Sequence, residues 1–143
     1  MSDATIGWGS TFELHNGTAL TELANVTSFS IPGTVWDTVE VTHLKSANRY
    51  KEFIKALRDA TEFAVTMNYV PGSATDILCR GARDAIAPRP FQINLSDEDG
   101  AAAWEITGTG HATGYEPAEV APGAVKTATL TIKPTGATSE ADA

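Results

Sequence analysis

The residues best suited to chemistry in this 143-residue chain are three histidines, His15, His43 and His111, and one cysteine, Cys79. An imidazole serves as a general base or metal ligand, and a thiolate as a nucleophile or ligand. Either role needs partners at short spacing, as in H-E-x-x-H or paired cysteine motifs. Here the histidines fall in unrelated segments, Cys79 stands alone, and no G-x-S-x-G elbow occurs. Gly108, Gly110 and Gly114 come near a dinucleotide loop, but Thr113 takes the third glycine's place and Pro117 follows where a helix should start. Setting Gly100 of Asp97-Glu98-Asp99-Gly100 at the sixth position of an EF-hand loop puts Leu95 first and Ile106 twelfth, which destroys the ligand set. A solvated turn accounts for those carboxylates. The pattern implies no catalytic residue, no cofactor and no metal.

Composition narrows the class further. Hydrophobic residues make up 42% of the chain and charged residues 20%, which suits one folded domain with a real core. Ten lysines and arginines against eighteen carboxylates give a net charge of -8. Such a surface repels phosphate backbones, so a protein that wraps nucleic acid is not expected, although DNA could slide past without sticking. A single cysteine excludes an internal disulfide framework. No apolar run is long enough to span a bilayer, so no membrane insertion is expected, and the first residues lack a signal peptide's basic and apolar regions.

The elements that would position any site are mostly strands. Phe63, Val65, Met67 and Tyr69 alternate with polar or small residues, as do Ala128, Leu130 and Ile132 between threonines, the mark of half-buried antiparallel strands. Phe91, Ile93 and Leu95 form a third strand. A fourth runs from Trp104 to Thr113, joined to the third by the acidic turn. Thr11–Leu14 and Leu23–Ile31 read as strands around a His15-Asn16-Gly17-Thr18 turn. From Ser46 to Arg58, Tyr50, Phe53, Ile54 and Leu57 recur at i, i+3, i+4 and i+7, which predicts an amphipathic helix with Ser46 or Asn48 as N-cap. Lys45, Arg49, Lys51, Lys55 and Arg58 cluster there, either as a solvated face or as partners for another subunit's carboxylates. A shorter helix is plausible from Thr75 to Asp84, weakened by Gly81. The segment from Pro32 to Lys45 reads as a long excursion into the first helix. Residues 137–143 read as a short flexible acidic tail after a domain over 1–136.

Three features in order carry a family resemblance. Val39-Glu40-Val41-Thr42-His43-Leu44-Lys45-Ser46-Ala47-Asn48-Arg49-Tyr50-Lys51-Glu52-Phe53-Ile54, closing in Leu57-Arg58-Asp59-Ala60, resembles the loop-and-helix signature of the tail tube proteins of long-tailed, non-contractile phages. Met67-Asn68-Tyr69-Val70-Pro71-Gly72 and the final strand Val125–Gly136 after Gly114-Tyr115-Glu116-Pro117 agree with it. Ala56 and Thr61 stand where family members often carry glycine.

The resemblance implies a mainly β fold: an antiparallel β-sandwich or barrel with one flanking helix, similar to the tube protein of type VI secretion systems. It implies a non-enzymatic virion protein made in the bacterial host cytoplasm and assembled into stacked hexameric rings that form the tail tube. Its partners would be itself, a tape-measure protein in the lumen, and tail terminator and tail-tip proteins, with DNA passing without specific binding. The expected subunit interface comprises Trp8, Pro32, Gly33, Trp36, Val39, Val41, Leu44, Arg49 and Lys55. Trp36 is its best anchor, a large aromatic in a polar segment; folding back onto its own sandwich is the alternative. Trp8 is buried either by its own core or by a neighbour. The competing function is a monomeric β-sandwich carbohydrate-binding module, which would want clustered aromatics, whereas Trp8, Trp36 and Trp104 are scattered. A small hydrolase would need a convergent polar pocket.

Overall fold

The computed structural model describes residues 8–97, 101–118 and 120–142. Nine strands and one α-helix follow in the order β1 (Thr11–His15), β2 (Leu20–Glu22), β3 (Val26–Phe29), β4 (Thr34–Glu40), β5 (Phe53–Ala60), β6 (Phe63–Asn68), α1 (Ala74–Asp84), β7 (Arg89–Ser96), β8 (Ala102–Pro117) and β9 (Thr127–Asp142). Seven strands form one antiparallel sheet in the order β2-β1-β7-β8-β9-β6-β3, while β4 and β5 pair as a separate hairpin.

The sheet is strongly curled. Phe12 on β1 and Phe63 on β6 stand four places apart in the strand order, a separation of roughly 19 Å in a flat sheet. Their ring centroids are 5.9 Å apart, and Phe91 lies 5.1 Å from Phe63. The inward residues of β1, β6, β7, β8 and β9 therefore meet inside the curl: Phe12, Leu14, Val65, Met67, Ile93, Ile106, Leu130 and Ile132 are all buried. Period-2 alternation dictates this, since one face of each strand is apolar and must be covered. Gly108 and Gly110 lie within β8, where the walls come too close for a side chain. A Cβ on Gly108 would stand 2.9 Å from Phe91 Cζ, and one on Gly110 2.9 Å from the Lys133 carbonyl.

The helix closes one part of the curl. Thr75, Leu78, Cys79 and Ala82 form its buried stripe, which outweighs the propensity cost of Gly81. Ser73 caps it by accepting from Asp76 N at 3.2 Å. The Asp76 carboxylate accepts from Gly72 N (3.1 Å), Tyr115 Oη (2.9 Å) and Arg80 Nε (3.0 Å), pinning the helix start to β8. Thr75 Oγ1 accepts from Ala24 N at 2.9 Å.

Several expectations are corrected. The helix read over Ser46–Arg58 does not form; that segment is a tight 3-10 turn, Ala47–Arg49, followed by β5. Asn48 and Arg49 sit at φ 53 and 64, outside the helical region, and Ser46 makes no cap bond. Among the described residues the one α-helix is the shorter candidate. The excursion from Pro32 holds β4. The strand expected over Leu23–Ile31 shortens to β3, Val26–Phe29, and β2, Leu20–Glu22, lies before it. Residues 137–142, expected as a flexible tail, extend β9, where Ser139 pairs with Thr107 and Asp142 with Trp104. The β1–β2 turn forms as expected, Asn16 Oδ1 accepting from Thr18 N and Ala19 N at 2.8 and 2.9 Å. Residues 98–100 of the acidic turn lie outside the described residues, although β7 and β8 pair on either side of it.

Candidate assembly surface

The β4–β5 hairpin is the part of the chain that lacks a core of its own. Every residue of β4 is exposed, and so is every residue of β5 except Ala60. Its composition does not suit water: Val35, Trp36, Val39, Val41, Phe53, Ile54 and Leu57 are all at least 40% exposed. An isolated two-stranded hairpin is marginal in water, so this one wants a partner surface.

Its register sorts the side chains. Trp36 pairs with Arg58 and Thr38 with Lys55, so Ala56 and Leu57 together oppose Asp37 in a β-bulge. The extra residue brings Lys55 and Arg58 onto the same face as Trp36. Lys55 Nζ and Arg58 Cζ each stand 5.2 Å from the Trp36 ring, a double cation–π arrangement. The opposite face carries Val35, Val39, Val41, Ile54 and Leu57, interrupted by Asp37 at the bulge and Asp59 at the base. One face is thus cationic and aromatic, the other aliphatic.

Both ends of the hairpin are fixed. At the base, Gly33 N donates to Thr61 Oγ1 and Thr61 N to Gly33 O, each at 2.8 Å. Lys133 Nζ, from β9, donates to Asp59 Oδ2 (2.9 Å) and the Ala60 carbonyl (2.7 Å). At the tip, Val41 N donates to Glu52 O and Glu52 N to Thr42 Oγ1, each at 2.8 Å. Ser46 Oγ accepts from His43 N (3.0 Å) and donates to Glu52 Oε2 (3.1 Å). Leu44 projects fully into solvent.

A second apolar feature lies elsewhere. A groove of about 560 Å³ is lined by Trp8, Val26, Phe29, Ile31 and Leu95 among others, beside β3, the last strand of the sheet. Trp8 is 69% exposed, so its own core does not bury it. Its carbonyl accepts a hydrogen bond from Ser96 Oγ, which ties it to the end of β7. The convex face of the sheet is a third surface, mostly polar, with Leu20 beside His15 and Ala64 on β6 as apolar exceptions. On it Glu13 pairs with Glu22 and Gln92, Asn94 with Glu105, and Glu116 with Thr129.

The structure gathers most of the residues singled out from sequence. Trp36, Val39, Val41, Leu44, Arg49 and Lys55 share the hairpin, with Pro32 and Gly33 at its root; Trp8 belongs to the groove. Trp36 is 44% exposed and lies outside the buried core, with Lys55 and Arg58 against its ring. Sequence reasoning missed Tyr50, Phe53, Ile54 and Leu57, all exposed. Their exposure was hidden because a helix stripe was expected to bury them. The histidines serve turns or the surface: His15 Nδ1 accepts from Gly17 N at 3.0 Å, His43 Nδ1 from Lys45 N at 3.1 Å, and His111 is exposed on β8. Burial first, then the Asp76 charge, pushes the Cys79 thiol up to about 12. Among the described residues no three His, Cys, Asp or Glu side chains group as a metal site.

Comparison with solved structures fits this division into a curled sheet and a projecting hairpin. A chain from the tail of an empty gene transfer agent particle with C6 symmetry superposes with a TM-score of 0.73 at 19% identity, over 95% of this chain and 98% of that one. The chain has the tail-tube fold. A chain from the six-fold symmetrised baseplate of an anti-feeding prophage gives 0.74 at 10% identity, over 99% and 97%. One from the extended sheath–tube complex of an extracellular contractile injection system gives 0.71 at 9%, over 97% and 91%. Tail-tube architecture is thus shared with particles that carry a sheath. No protein-family model and no curated protein match the sequence.

Proposed function

We propose that this protein is the structural subunit of a hollow phage-type tail tube. Six copies join in a ring, and rings stack into a conduit through which a genome leaves the particle. The observation that carries this reading is the hairpin: a ladder of apolar residues left exposed among the described residues, on a tail-tube fold. The interface residues are Trp8, Pro32, Gly33, Trp36, Val39, Val41, Leu44, Arg49 and Lys55, joined by Phe53, Ile54 and Leu57. The polar convex sheet face lines the lumen, where its carboxylates repel DNA phosphates and let the strand pass without binding. A tape-measure protein occupies that lumen during assembly, and terminator and tip proteins close the ends. The role is non-catalytic, and the protein resides in the virion tail after synthesis in the host cytoplasm.

A carbohydrate-binding module is less well supported, since Trp8 and Trp36 lie on separate surfaces and Trp104 is on the sheet. Negative-stain electron microscopy across a concentration series tests the reading. Rings or tubes of uniform width are expected. Monomers at every concentration, together with glycan binding, would overturn it.

A further inference from the structure

The His15-Asn16-Gly17-Thr18 turn between β1 and β2 holds a set of groups that the tube reading does not use. Of the five asparagines, Asn16 alone precedes a glycine; the others precede Val26, Arg49, Tyr69 and Leu95. Gly17 sits at φ 98 with open space around it, so no side chain crowds the approach of its nitrogen to the Asn16 amide. That nitrogen donates to His15 Nδ1 at 3.0 Å. Asn16 Oδ1 accepts from Thr18 N and Ala19 N at 2.8 and 2.9 Å. A base thus rests on the proton of one main-chain nitrogen, and two donors on the side-chain carbonyl which that nitrogen reaches by closing a five-membered ring. We infer that this turn modifies itself: His15 drives cyclisation of Asn16 onto Gly17 N, and water then leaves aspartate or isoaspartate at position 16.

The step balances without redox chemistry. With Gly17 N–H donating to Nδ1, the neutral imidazole carries its own proton on Nε2, and Nδ1 is free to take the main-chain proton. The electron pair left on Gly17 N attacks Asn16 Cγ and forms the new C–N bond. Charge collects on Oδ1, where the Thr18 and Ala19 N–H groups already stand at hydrogen-bond distance, as in an oxyanion site. The Cγ–Nδ2 bond then breaks, and the amide nitrogen leaves as ammonia with the proton that His15 had taken. Water opens the succinimide ring at either carbonyl; one opening gives aspartate, the other isoaspartate. One water is consumed, one ammonia is released, and one negative charge joins the -8 of the chain. Asn16 and Gly17 are exposed, which admits the water. Nothing in the step returns the amide, so the modified fraction grows with the age of the subunit. Aspartate keeps an acceptor for Thr18 N and Ala19 N, whereas isoaspartate lengthens the main chain by one carbon inside the turn that sets His15 opposite Leu20.

Peptide mapping by mass spectrometry tests this on the full chain, incubated at neutral pH in water labelled with heavy oxygen. Conversion with uptake of the label is expected at Asn16, ahead of Asn25, Asn48, Asn68 and Asn94. The signs of two comparisons separate a promoted step from the ordinary lability of an Asn-Gly pair. The folded chain should convert Asn16 faster than the same chain in urea, where His15 and the two donors are no longer held in place. His15→Ala should slow the folded chain about tenfold or more, and free imidazole should restore part of the rate. His15→Phe, which keeps a ring without the nitrogen, should be as slow as His15→Ala, with far-UV circular dichroism unchanged in both. If the turn merely restrains Asn16, unfolding and both substitutions speed conversion instead, and the proposal falls. An unchanged rate in the two variants, or no conversion at Asn16 in the folded chain, overturns it equally.

Discussion

Asp76 shows how one side chain ties local structure to the stability of the subunit. Burial alone would raise its carboxyl pKa, but the hydrogen bonds from Gly72, Tyr115 and Arg80, with the Arg80 charge, outweigh it and hold the pKa below the ordinary value. A carboxyl depressed in the folded state stabilises the fold in its ionised form. That contribution is complete above the unfolded value of about 3.9 and is lost as pH falls through the lower folded value. Asp76→Asn should therefore cost about 1.5–3 kcal/mol at neutral pH, the worth of hydrogen bonds to a charged group. As pH falls below the ordinary carboxylate value and on through the lowered folded one, the variant and the parent should converge as the parent's advantage titrates away. Urea unfolding at pH 7 and in the acid range checks both statements; a constant difference at every pH would mean that Asp76 acts through packing alone.

Two apolar stripes with the same spacing met different fates, and the comparison shows what periodicity can reveal. Residues 75, 78, 79 and 82 became a helix; residues 50, 53, 54 and 57 became a turn and a strand. The first has Ser73 to accept from the free Asp76 N–H, an Asp76 carboxylate that ties down Gly72 just before the cap, and small residues along its buried side. The second is built from Tyr, Phe and Ile, which suit a pleated surface, and has a complementary Val-Trp-Asp-Thr-Val partner in β4. The bulge at Ala56 and Leu57 shifts the alternation by one, so a strand reads with helical spacing. The barrel strands were legible because each buries one clean face against the curl. The exposure of Phe53, Ile54 and Leu57 was not legible, because the same residues also read as the buried stripe of a helix. Since Trp36 contacts Lys55 and Arg58 and lies outside the core, Trp36→Ala should change subunit stability by less than about 1 kcal/mol. Its threshold for assembly should nonetheless rise. A large fall in melting temperature of the monomer would place Trp36 in the subunit's own folding core.

At the scale of the whole molecule, charge is divided between surfaces that do different work. The hairpin holds five of the ten cations but also Asp37, Glu40, Glu52 and Asp59, while the convex sheet face pairs Glu13 directly with Glu22 and holds Glu105 and Glu116 farther along. Like charges opposite one another in a ladder cost stability, so Glu22→Lys should stabilise the isolated subunit by about 0.2–1 kcal/mol. If that face lines a conduit, the same change places six new cations around each ring, where they attract the phosphates that the parent repels. Tubes of the variant should then retain double-stranded DNA at low ionic strength and release it as salt rises, whereas parent tubes should not retain it at any salt concentration. Co-sedimentation of DNA with each kind of tube, beside thermal melting of each monomer, measures both effects. A more stable subunit whose tubes ignore DNA would place Glu22 on the outside of the tube and require another face to form the lumen.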